Sequence, residues 1–88
     1  MKELRLNIIS NWYLNRAIEF MDIISEGILE IKSDANEGIL PSAKIRKNLK
    51  KLTDEATIFL NKAAVYNPKL DLSREISIRN EIVNFIYN

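Results

Sequence analysis

Apolar residues recur every three or four positions along the first third of the chain: Leu6, Ile9, Tyr13, Ala17, Phe20, Ile24, Ile28 and Ile31. That interval returns side chains to one side of an α-helix, so the pattern predicts a single helix over about residues 3–33. On a wheel of about 100° per residue the eight positions fall within an arc of about 100°. Leu6, Ala17 and Ile28 repeat at intervals of eleven, which predicts a nearly straight rod. Gly27 costs such a helix about 1 kcal/mol and so marks a close contact or a kink. Ile8, Trp12 and Ile23 lie off the main face as a second, smaller apolar strip.

Asp34 to Gly38 are turn formers, and Pro41-Ser42 open a second helix, expected over about residues 42–66. Here Ile45, Leu49, Leu52, Ala56, Phe59, Ala63 and Tyr66 alternate spacings of four and three, a heptad seam of the coiled-coil kind. Asn67-Pro68 ends it, because proline disfavours helical geometry in the residue before it. A third helix is expected over about residues 73–87, capped by Ser73 or Asp71. Its apolar residues Ile76, Ile78, Ile82, Val83, Phe85 and Ile86 make a broad stripe, which predicts burial on more than one side. The alternation of Leu70, Leu72, Ile76 and Ile78 leaves a strand as the alternative.

The fold class that follows is all-α, one domain over residues 1–88. A short loop makes the two long helices an antiparallel hairpin, roughly 46 Å and 37 Å long, with the shorter third helix packed on it. Such a rod outruns the apolar cover one chain supplies, so an oligomeric helical bundle is expected. Ile8, Trp12 and Ile23 either contact the third helix or form a partner-binding anchor, since tryptophan is enriched at interface centres.

Composition narrows the chemistry. With no cysteine and no histidine among 88 residues, thiolate chemistry, the commonest general base and the commonest metal ligand are all missing. No glycine-rich phosphate loop and no zinc spacing occurs, so no cofactor is implied and the chain is read as not an enzyme. Glu19, Asp22, Glu26 and Glu30 follow one another at three and four residues, but a bundle-type two-metal site also needs Glu-x-x-His pairs. They are therefore read as a solvated acidic face. The beginning, MKELRLN, does not resemble a signal peptide, and no apolar run approaches the roughly 18 residues of a membrane span. A cytoplasmic protein with no membrane partner is expected, in a bacterium or a phage-infected cell; the abundance of Asn, Ile and Lys suits an AT-rich genome.

Lys44, Arg46, Lys47, Lys50 and Lys51 crowd into the start of the second helix, where positive charge opposes the helix dipole. One reading is a nucleic-acid-binding stripe that meets phosphates. The other is a solvated face partly neutralised by Glu30 opposite Lys44 and Glu26 opposite Lys51, with Lys47 and Lys50 left free. The run from Ser42 to Leu52, SAKIRKNLKKL, resembles the basic RARKxLxxL segment of small histone H1-like proteins of bacteria and large phages. In those proteins the segment also follows an acidic helix and a glycine-containing turn, here Glu37-Gly38, so the resemblance extends over residues 37–52. It implies association with DNA, although the lysine-rich tail of that family is replaced here by the apolar stretch Ile76 to Ile86 and the net charge is only +1. The expected function is that of a non-enzymatic interaction protein that self-associates and docks on another macromolecule, another protein first. A small nucleic-acid-associated protein is the alternative.

Overall fold

The computed structural model describes residues 2–87 and contains three α-helices: α1 (Lys2–Asn36), α2 (Ala43–Tyr66) and α3 (Ser73–Tyr87). The strand alternative for the tail is not realised, because Ser73–Tyr87 form a continuous helix. At 1.5 Å per residue the 35 residues of α1 extend about 52 Å, nearly the whole 55 Å length of the molecule.

α1 runs one turn beyond the expected end at Ser33, and the stop signal explains why. Gly38 adopts a φ of +80°, the Ile39 amide donates to the Asp34 carbonyl at 2.9 Å, and the Gly38 amide donates to Ala35 at 3.0 Å. This pair of reversed bonds satisfies carbonyls that a helix end otherwise leaves unpaired, and it needs a residue without a Cβ at Gly38. The helix therefore continues until its cap is in place. Ser42 then caps α2, its hydroxyl accepting from the Ile45 amide at 3.2 Å. At the far end the Asn67 amide closes on the Ala63 carbonyl, and Pro68 sits in the turn joined by Leu70 N–H to Asn67 C=O at 3.1 Å. Asp71 rather than Ser73 supplies the accepting group before α3: its carboxylate takes the Ser73 hydroxyl at 2.6 Å and the Ser73 amide at 3.0 Å. Those bonds, the hydroxyl's first, hold the Asp71 pKa below the usual carboxylate value.

α1 and α2 pack closely because small residues line their contact. Ser10, Ala17, Ala56 and Ala63 have no exposed surface, and Gly27 admits the Leu49 side chain so closely that a Cβ there would stand 3.0 Å from Cδ2. The glycine thus marks a close contact. Two buried hydroxyls are satisfied by backbone: Ser10 donates to the Ala63 carbonyl across the helix pair at 2.8 Å, and Thr53 donates to Leu49 in its own helix at 2.7 Å.

The core is rotated from the expected faces. On α1 the buried residues are Ser10, Ala17, Met21, Ile24 and Ile28, and on α2 they are Leu49, Thr53, Ala56, Leu60 and Ala63. Relative to the predicted stripes this is a turn of about 40–50° on each helix, in the same sense toward one side of the hairpin. Leu49, Ala56 and Ala63 keep their seam positions, Leu52 and Phe59 give way to Thr53 and Leu60, and Ile45 is exposed.

The cause is α3, which lies on that side only. Ile78, Glu81 and Phe85 line crevices with Ser25, Leu29 and Lys32 of α1. Tyr87 reaches α2, where its hydroxyl donates to Asp54 at 3.3 Å. α3 itself buries one stripe, Ile82 and Ile86 with Ile78 and Val83 half-covered, rather than two sides, and Ile76 stays exposed. A helix laid over one face of a two-helix layer touches it along a single line, so its second apolar edge is left in solvent.

Candidate functional site: an aromatic face and a basic edge

Five of the seven aromatic residues gather on the side of the hairpin that α3 leaves open. Trp12, Tyr13 and Phe20 come from α1 and Phe59 and Tyr66 from α2. Antiparallel pairing sets Ser10 level with Ala63 and Gly27 level with Leu49, so residues whose numbers sum to about 75 are neighbours. The rings meet for that reason. Tyr13 stacks on Tyr66 at 5.6 Å and on Phe59 at 5.9 Å, Phe20 stacks on Phe59 at 5.5 Å, and Trp12 stands edge-on to Tyr13 at 5.1 Å and to Phe59 at 6.3 Å. Such pairs add about 0.5–1.5 kcal/mol each beyond their area.

Arg16 lies over this row, its guanidinium 5.5 Å from the Phe20 ring centre and 5.9 Å from Trp12, while it pairs with Glu19 at 3.0 Å. Lys62 covers Tyr13 at 5.4 Å. Tyr13, Phe20, Leu52, Phe59 and Tyr66 are half-buried, so each offers one side to the core and one to solvent.

Of the two readings of the Trp12 strip, contact with α3 is not what the structure shows. Trp12 is 55% exposed and Ile23 53% exposed, both beside the aromatic row and on the side of α1 away from α3. Ile8, 61% exposed, turns a further step outward toward the free edge of α1. The sequence pattern put Tyr13, Phe20, Phe59 and Tyr66 in the core. Their shared level in an antiparallel pair was the signal that they form a patch of their own.

The basic cluster divides in two. Lys44, Lys47 and Lys51 share the outer edge of α2, whereas Arg46 and Lys50 turn toward α3. Lys50 is therefore not free: its ammonium sits 5.2 Å from the Tyr87 ring centre. Arg46 borders a cleft of about 380 Å³ with Pro41, Phe85 and Ile86. The expected pairs Glu30–Lys44 and Glu26–Lys51 do not form, and among the described residues Arg16–Glu19 is the one ion pair within 4 Å. The residues are level, but the glutamates and the lysines occupy the far sides of their helices from the seam. The charge of the outer edge is consequently not cancelled from within the chain.

Glu19, Asp22, Glu26 and Glu30 stay exposed, and among the described residues no three acidic groups converge as metal ligands do. None of the described helices is long and apolar enough to cross a membrane. No protein-family model, curated protein or solved structure matches this chain.

Proposed function

We propose that the chain is a non-enzymatic helical interaction protein of the cytoplasm, which self-associates and serves as a structural or accessory factor docked on another macromolecule. The observation that carries this reading is the aromatic face. Trp12, Ile9 and Ile23 stand exposed around four half-buried rings, and aromatic residues with arginine are the side chains that concentrate binding energy at interface centres. A contiguous apolar patch of this kind is unusual for a surface that meets only water. Sedimentation at micromolar concentration should report at least a dimer of the 10.2 kDa chain. A clean monomer at all concentrations would reject self-association.

The uncancelled charge of Lys44, Lys47 and Lys51 favours a second reading, association with nucleic acid along the outer edge of α2. Each phosphate a lysine neutralises releases counterions, so log K for duplex DNA should fall against log salt by about 0.9 per contact. Changing all three lysines to glutamine should flatten the slope by up to about 2.7 and weaken binding to every sequence alike. The fold should be unaffected, because none of the three faces a helix neighbour. Binding that is absent, or indifferent to salt, in the parent protein leaves the edge as a solvated helix face.

A further inference from the structure

We infer that two copies of this chain stack open face on open face, with their α1 helices antiparallel and a two-fold axis at the level of Arg16 and Phe59. The inference rests on the self-association proposed above and gives it a geometry.

Two ways of stacking identical hairpins by a two-fold axis keep both apolar faces covered. In one the axis runs along the hairpin, so α1 lies over α2 of the partner subunit at the same level. That sets Glu26 and Glu30 against Lys51 and Lys44 of the partner subunit. It also sets Arg16 beside Lys62 of the partner subunit and Glu19 beside Glu55 of the partner subunit, so opposite-charge and like-charge contacts offset each other. In the other the axis lies across the hairpin, and the order of charges along α1 makes this arrangement self-complementary. The open side of α1 is positive in its first half, at Arg5 and Arg16, and negative in its second, at Glu30, with Glu26 on the adjoining free edge. With the axis at Arg16, a residue on α1 faces the one whose number completes 32. Arg5 then comes between Glu26 and Glu30 of the partner subunit, and Ile9 meets Ile23 of the partner subunit. Trp12 meets Phe20 of the partner subunit.

The same axis falls at Phe59 on α2, because Arg16 and Phe59 are level in the hairpin. It brings Leu52 opposite Tyr66 of the partner subunit and Glu55 beside Lys62 of the partner subunit. Away from the axis both long helices are matched, apolar to apolar and acid to base, by one operation. At the axis Arg16 meets Arg16 of the partner subunit, each neutralised by its own Glu19 at 3.0 Å. The exposure of Ile9, Trp12 and Ile23 and the half-burial of Leu52 and Tyr66 all follow from it. α1 overlaps its symmetry mate along about 28 residues and α2 along about 15, and together they offer roughly 600–700 Å² per chain, the lower part of the range for a standard stable interface. α3 lies on the opposite side of the layer and does not obstruct the contact.

The absence of cysteine makes the test direct. Arg16→Cys, Arg5→Cys and Glu26→Cys are made singly on exposed positions and treated with a short bis-maleimide. Arg16→Cys should give a covalent dimer alone. Arg5→Cys and Glu26→Cys should each remain uncrosslinked alone, since identical positions stand about 30–33 Å apart across the axis, and should give a covalent dimer when mixed. A sedimenting dimer that fails at position 16, or that links Glu26→Cys only with Lys51→Cys, overturns the antiparallel arrangement and leaves self-association standing. A monomer in sedimentation overturns both.

Discussion

Leu60→Ala should destabilise the protein by about 2–5 kcal/mol, a large part of what a domain of this size has to lose. Leu60 is 3% exposed and belongs to the central cluster with Ala56, Ile24 and Ile82, so truncation leaves a void that the surrounding helices cannot close. Leu52, eight residues earlier and also leucine, is half-buried on the open side of α2. Its truncation should cost roughly 1–2 kcal/mol, the transfer of a partly covered side chain, and should weaken association as well. Urea unfolding of the two variants, compared at one protein concentration, measures the order. Equal losses would mean that the seam faces the core symmetrically and that the rotation of the core is not real.

Ala56→Leu should also destabilise, by about 1–3 kcal/mol or more, although it makes the chain more apolar. Ala56 has no exposed surface in the α1–α2 contact, with Ala17 equally enclosed on the facing helix. Three added carbons there must push the helices apart, and separation breaks contacts on both sides of the crossing, including the Ser10 bond to the Ala63 carbonyl. Leucine is as good a helix former as any residue but alanine, so the loss is not one of propensity. Thermal unfolding gives the sign: a raised melting temperature would show that the helices are not held at close range by their small residues.

The three helices and their breaks were legible because each depends on local chemistry. Periodicity of 3.6, the glycine at 38 and the proline at 68 act over a few residues and say the same thing in any tertiary setting. What periodicity does not carry is which part of a broad apolar sector turns inward. That was decided by α3, whose side of the hairpin is set by the turn at Asn67 to Leu72 rather than by any pattern within α1 or α2. Met21 and Leu60 were therefore missed as core, and Tyr13, Phe20, Leu52 and Phe59 were placed one step too deep. Ser10 and Thr53 were invisible for another reason. A hydroxyl reads as surface in a sequence, and only the carbonyl that receives it, Ala63 or Leu49, makes its burial tolerable. The ion pairs failed on angle alone. Glu26 and Lys51 are level along the hairpin, but a wheel drawn for both helices would have placed them back to back.

The one-sided attachment of α3 has a consequence for how the molecule breathes. α3 is held by a single buried stripe, the Leu72 anchor and the polar contacts of Tyr87, while α1 and α2 share the long seam. Amide hydrogens of α3 should therefore exchange with solvent through a partial opening that costs less than global unfolding, leaving the hairpin amides protected. In hydrogen-exchange measurements the protein should show two tiers of protection, with the lower tier confined to residues 73–87 and the highest values around Ala17, Ile24, Ala56 and Leu60. Once α3 swings away, Met21, Ile24 and Ile28 lose their cover, so the open form is the one most prone to non-specific association, and its population sets the shelf life of the protein.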